Sequence, residues 1–208
     1  MTSSYLPPLL RTIQGLGYAA FDGSTDFDLN IIGVRNRVSM RDPNHYSDDL
    51  HVIWKQSGIW RAFHCALTTT PGTWYLQHPM RPAEGCAVLA PQQARGAYRL
   101  GLHKGKRALV QTGAKVKFYR DNDLNTSIDI DESTLQEAFS GLNIHAGSRY
   151  ARTDTGTEGD GSVGRWSAGC QTAHPSDVAF LVELADKQAA NGPGWDRFTY
   201  TLITEDEL

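Results

Sequence analysis

The chain holds only three cysteines in 208 residues, Cys65, Cys86 and Cys170, and no two of them stand in a CxxC spacing. So sparse and odd a set excludes a disulfide framework and a cysteine-rich zinc site. Apolar runs are short as well: none approaches the roughly 18 residues a membrane helix requires, so no membrane span is expected. Charge of one sign is also lacking. Twenty Lys and Arg against 23 Asp and Glu leave a net charge of −3, without the basic footprint of a nucleic-acid partner. No basic stretch precedes an apolar one at the N-terminus, where Pro7 and Pro8 interrupt the sequence. The reading is a chain synthesised in the cytoplasm without a signal peptide. Internal repeats and low-complexity tracts are absent, and no glycine-rich loop opens a helix near Lys104 and Lys106 to cradle a phosphate.

What is present is a series of short runs rich in β-branched and aromatic residues, punctuated by Gly, Pro, Asn and Asp. Strands are expected at 29–35, 50–56, 60–68, 73–77, 86–90, 108–111, 116–120 and 198–204. Three helices are expected: one within residues 1–20 that stops at Gly15 or Gly17, one over 133–139 opened by Ser133, and one over 175–191. The last is the strongest, with Val178, Phe180, Leu181, Leu184 and Ala185 at helical spacing and Asp177 in its first turn. The fold class is therefore mainly β with a few helices (β-rich α+β). One catalytic domain spans 1–208, with residues 1–40 a candidate N-terminal appendage.

Cys65 in FHCAL and Cys86 in EGCAVLA read as small buried hydrophobes. Cys170 keeps different company. The small-residue turn Ser167-Ala168-Gly169-Cys170 precedes the best helix, and His145 stands 25 residues upstream after a strand-like run. A nucleophilic thiol needs room for a carbonyl to approach and a base to take its proton, because at its ordinary pKa near 8.5 it is only a few per cent ionised at neutral pH. Ala168 and Gly169 give the room, His145 is the candidate base, and the following helix N-terminus is expected to favour thiolate. Backbone N–H groups around Gly169 and Cys170 are candidate oxyanion donors. A buried Cys170 and a core His145 form the plain alternative.

This order of elements resembles the catalytic domain of the L,D-transpeptidases (YkuD-like) over residues 65–190. Thr70-Pro71-Gly72-Thr73-Trp74-Tyr75 stands in place of the family's TPxG strand, His145 in place of its histidine, and Ser167, Gly169 and Cys170 match its S-x-G-C motif. The chain departs from the pattern at Ala168, where the family has His or Arg, at Gln171-Thr172 after the cysteine, and in a longer loop between His145 and Cys170. As a divergent member it would have a β-sandwich with a helix after the catalytic cysteine, and acyl transfer on peptidoglycan stem peptides. Cys170 would form a thioester, His145 would shuttle the proton, Ser167 would shape the site, and Gly169 and Cys170 would donate to the oxyanion. No cofactor and no metal are implied. A hydrolytic outcome, as in a phage-type endolysin that reaches the cell wall after release or delivery, is the favoured variant; a cross-linking transpeptidase is the other.

Arg149, Arg152 and Arg165 flank the site as candidate forks for substrate carboxylates, with solvated loop arginines as the plain reading. Trp166 is a candidate cleft wall or a core tryptophan. His103 is the rival histidine, to orient substrate or to join His145 and Cys170 around zinc in a metal-dependent peptidase. In residues 121–132, Asp121, Asp123, Asn125, Asp129 and Glu132 fall on the ligand positions of a calcium loop. Thr126, however, stands where that loop demands glycine, so an Asp/Asn-rich turn is the expectation. A catalytically inactive wall-binding or virion protein is the alternative of a different class.

Overall fold

A computed structural model of the protein describes residues 6–23, 25–149 and 161–208. The opening helix α1 (Pro8–Gly15) starts with proline, whose missing N–H costs nothing in a first turn, and buries Leu10 and Ile13 on one face. It stops where Gly17 adopts φ 82°. There the Gly17 N–H reaches the Gln14 carbonyl and the Tyr18 N–H that of Ile13, both at 2.9 Å, the pair of bonds that satisfies a helix's last carbonyls.

Eleven strands and three further helices follow: β1 (Asn30–Arg35), α2 (Arg37–Arg41), β2 (Asp48–Gln56), β3 (Ile59–Thr68), α3 (Thr73–Gln77), β4 (Cys86–Leu89), β5 (Gln92–His103), β6 (Lys106–Gln111), β7 (Val116–Asp121), β8 (Gln136–Ala138), β9 (Ile144–Ala146), β10 (Gln171–Ala173), α4 (Pro175–Ala189) and β11 (Phe198–Thr204). Among the described residues the protein is mainly β with four helices, and its class is the β-rich α+β that the sequence pattern implies. The main sheet closes on itself in the order β1-β11-β5-β6-β9-β10-β3-β2, and β4-β7-β8 form a separate three-stranded sheet. The two-layer sandwich implied by the family resemblance thus takes the form of a closed barrel with a small sheet beside it. Within the first forty positions, β1 pairs with both β2 and β11, and α1 packs Leu10 and Ile13 against Ile32, Val34, Ile53 and Ile203.

Three local expectations change. Residues 73–77 form helix α3 instead of a strand; the Gly72 N–H is tied to the Ser167 carbonyl at 2.9 Å, and only Leu76 of the helix is buried, so tertiary contact overrides the β propensity of Trp74 and Tyr75. Residues 133–139 do not form a helix. Asp131 accepts from the Ser133 N–H at 2.9 Å and closes a short 3-10 turn, after which β8 pairs with β7. The 12-residue β5 has no counterpart in the strand reading, because its polar, glycine-bearing run QQARGAYRLGLH shows no continuous apolar signal.

The interior of the barrel is continuous with α4. Ile31, Val52, Leu67, Leu109, Ile144 and Leu202 pack in one cluster with Val178, Leu181 and Leu184 of α4 and with Leu89 and Phe118 of the small sheet. Each such side chain contributes about 1.5–3 kcal/mol relative to exposure. Because α4 lies on β9, this packing fixes the strand that carries His145.

Candidate active site

β9 and β10 run side by side in parallel, with Thr172 opposite His145 and Gln171 opposite Ile144. Cys170 immediately precedes β10, two residues before the partner of His145. Side chains return to the same face of a strand every second residue, and Cys170 and His145 both line one cleft of about 430 Å³ beside the three-stranded sheet. The two residues singled out by the sequence are therefore brought to one place. His145 is 5% exposed and Cys170 is half-buried.

His145 is oriented by the main chain. Its Nδ1 faces the Ala146 carbonyl at 3.0 Å, so Nδ1 carries the hydrogen and the Nε2 lone pair is left to accept a proton. Burial pushes its pKa down to about 4; the Ala146 hydrogen bond opposes this shift, and His103 and Lys104 add to it. Burial likewise pushes the Cys170 thiol up to about 11, against the pull of the Asn143 backbone N–H and Lys104. The thiol donates to the Gly141 carbonyl at 3.5 Å. Both displacements favour the uncharged forms, thiol and imidazole, at neutral pH. The helix N-terminus expected to favour thiolate does not adjoin the sulfur: β10 intervenes, and three strand residues span about 10 Å.

The turn before the sulfur is held from three sides. Gly169 has φ 122°, and a Cβ there would meet the Ala87 carbonyl oxygen at 2.3 Å. Its N–H donates to the Ser167 hydroxyl at 3.1 Å, and its carbonyl accepts from the Gln171 side chain at 3.1 Å. The Ser167 hydroxyl shares its proton between the carbonyls of Thr70 and Cys170, at 2.9 and 2.7 Å. This arrangement corrects one expectation: the Gly169 N–H is engaged by Ser167 and does not aim at an oxyanion. Among the described residues nothing accepts from the Cys170 N–H, which leaves it as the candidate donor. Substituting Gly169 by alanine is expected to cost at least about 2 kcal/mol, from positive-φ strain and backbone collision, read as a lower melting temperature together with lost thiol reactivity.

The remaining candidates divide. Arg165 and Trp166 line the cleft; Arg165 lies over the Trp74 ring, 3.5 Å from its centroid, and Trp166 is 45% exposed, so it is a wall and not a core residue. Arg149 is exposed and stands outside the cleft lining. Arg152 falls outside the described residues. His103 lines the cleft, but its ring lies flat on that of His145, with centroids 3.8 Å apart and planes 9° from parallel. Ring lone pairs lie in the ring planes, so rings this parallel do not converge on one tetrahedral zinc. Cys86 also borders the cleft, but its thiol is buried, donates to the Tyr75 carbonyl at 2.8 Å and is pushed up to about 12 by burial and Asp121. Residues 121–132 are bound up in their own turn: Asp121 accepts from the Asp129 N–H (2.9 Å), Asp123 from that of Asn125 (3.0 Å), and Asn125 from that of Ser127 (2.6 Å). Positive φ falls at Leu124, not at Thr126.

Sequence reasoning missed Lys104, Asn143 and Gln171. Lys104 has φ 48° in the two-residue turn that joins β5 to β6, a conformation that favours Asn or Gly, and it stands at the cleft beside both catalytic candidates. A lysine at an Asn-Gly type of turn was the available signal. Along the cleft Arg81, His103, Lys104, Arg120, His145 and Arg165 appear, with no carboxylate among the described lining residues. Glu84 pairs with Arg81 and Arg120; Lys104 and Arg165 have no carboxylate partner among the described residues. No family model, curated protein or solved structure matches the chain.

Proposed function

We propose that the protein is a cysteine enzyme that transfers the acyl group of a peptidoglycan stem peptide through a thioester on Cys170, with water as the favoured acceptor. The observation that carries this reading is the placement of the Cys170 thiol and the His145 imidazole on one cleft, with the imidazole's Nδ1 fixed by the Ala146 carbonyl. A structural cysteine has no need of an open cleft, and a core histidine has no need of a free Nε2.

The steps balance without a cofactor. As a substrate amide carbonyl approaches, the Cys170 sulfur attacks its carbon and the thiol proton passes to His145 Nε2. Charge on the carbonyl oxygen is met by the Cys170 N–H. The C–N bond then breaks, the imidazolium returns its proton to the departing amine, and a thioester remains. Water, deprotonated by His145, attacks the thioester carbon, and the thiol leaves with that proton. An amine in place of water would give cross-linking instead of hydrolysis. Because thiol and imidazole are both neutral beforehand, proton transfer accompanies attack and no preformed ion pair is required.

The cationic cleft supports the substrate class. Stem peptides carry several carboxylates, and Lys104 and Arg165, which line the cleft without a carboxylate partner among the described residues, suit them. The test is incubation of the protein with purified sacculi, followed by mass spectrometry of the released fragments. Stem peptides shortened or cut at an amide bond are expected. Intact stems with a cleaved glycan, or no soluble product at all, would contradict the reading.

A further inference from the structure

The contact between His103 and His145 is the least expected feature of the cleft, since the two residues come from different strands and are 42 positions apart. Imidazoles that lie face to face at 3.8 Å do not readily both carry charge, because like charges so close and half-shielded from water repel. Which ring is free to take a proton is therefore decided by what holds the other.

His103 is held by Asn143. The Asn143 side-chain oxygen accepts from the Gln111 N–H at 2.8 Å, so the amide's orientation is set and its NH₂ group faces His103 Nδ1 at 3.0 Å. An NH₂ group only donates, so His103 Nδ1 must accept, and the ring's hydrogen lies on Nε2. A second proton on His103 would put an N–H against an N–H donor and break this bond. Asn143 also touches the sulfur's surroundings: its backbone N–H lies toward Cys170, and its carbonyl accepts from the Gln171 N–H at 2.9 Å. One asparagine thus links His103 to the cysteine turn. Gln111 braces the same loop by accepting from the Ser140 and Gly141 N–H groups, each at 2.9 Å.

We infer that His103 is a positioning residue for the base: locked as the neutral Nε2–H tautomer by Asn143, it is a flat plate that fixes the His145 ring and leaves His145 as the member of the pair that accepts the thiol proton. This role rests on the proposed cysteine chemistry and replaces direct substrate binding as the work of His103. The charged groups that act on the pair are Lys104 on the same hairpin, which lowers both imidazoles, and His103, which lowers His145; both rings are held below the ordinary histidine range, first by burial.

The test combines nitrogen NMR of the imidazoles with kinetics of three variants. In the wild-type protein at pH 7, His103 is expected to show a protonated Nε2 and a bare Nδ1. A protonated Nδ1, or a doubly protonated ring, overturns the inference. In His103→Phe the flat contact is kept and the competing proton site is lost, so the His145 titration is expected to move up by about half a unit or more, and the acid limb of kcat/KM with it. In His103→Ala the plate is lost, and kcat is expected to fall about tenfold or more with little change in KM, as a base slips from its line of attack. Asn143→Asp keeps the acceptor for Gln111 but offers His103 a carboxylate, so His103 is expected to titrate at least one unit higher. A rise in KM at constant kcat, or a change in melting temperature with both titrations unmoved, contradicts a positioning role. If wild-type protein cuts no stem peptide but the His145 titration still moves in His103→Phe, the positioning role stands and the peptidoglycan reading falls.

Discussion

Cys170→Ala is expected to abolish release of stem-peptide fragments, a loss of about 10⁴-fold or more. Removing a nucleophile leaves only the binding and oxyanion contributions, which are small next to covalent catalysis. The variant is a fair comparison because the turn is held without the sulfur: Gly169 is fixed by Ser167 and Gln171, and Thr70 is tied to the same hydroxyl. Folding is therefore expected to be retained, with an unchanged far-ultraviolet spectrum and a melting temperature within a few degrees of wild type. Cys86→Ala serves as the control. Its thiol sits at the edge of the same cleft but is buried, bonded to the Tyr75 carbonyl and held protonated. Loss of activity in that variant, with activity kept in Cys170→Ala, would reassign the nucleophile.

His145→Gln is the second large effect, with an expected fall in kcat of about 10²–10⁴-fold, the usual value of a positioned base. The pH profile of the wild-type protein gives a companion result whose sign follows from the two pKa displacements. His145 must be unprotonated to take the thiol proton, and burial lowers its pKa to about 4; kcat/KM should therefore hold far below the ordinary histidine range and decline only as pH falls toward about 4. Cys170 is raised to about 11, so the reactive neutral pair persists until pH rises toward that value. A broad plateau is expected, measured as kcat/KM on a soluble stem peptide from pH 3.5 to 11. A narrow bell centred near 7, with limbs at ordinary histidine and cysteine values, would mean that water reaches both groups freely and that the buried neutral pair is the wrong resting state.

The parts of this molecule that sequence made legible are those with a local signature. Runs such as NIIGVR and FTYTLIT announce β1 and β11 because both sides of those strands are largely buried and most positions are apolar or β-branched. α4 was legible from the spacing of Val178, Leu181 and Leu184. Cys170 was legible because two small residues precede it, a pattern with little use in a core. What stayed hidden depends on contacts distant in sequence. The Ala146 carbonyl that orients His145 is a backbone group and has no residue type to read. The commitment of the Gly169 N–H to Ser167 follows from a turn whose φ the sequence permits but does not dictate. Gln171 became intelligible only once its side chain was seen to hold the Gly169 carbonyl. The ring contact of His103 on β5 with His145 on β9 reaches past the intervening β6, and no periodicity in the chain records that order.

The claim on which the whole account depends is that the Cys170 sulfur forms a bond to substrate carbon. Mixing the protein with a synthetic stem peptide, quenching in acid within seconds, and mapping the adduct by peptide mass spectrometry tests it most directly. An acyl mass on the peptide that contains Cys170, absent from those of Cys65 and Cys86 and removed by neutral hydroxylamine as thioesters are, is the expected result. Stem-peptide cleavage that proceeds at full rate after Cys170 has been alkylated would contradict it.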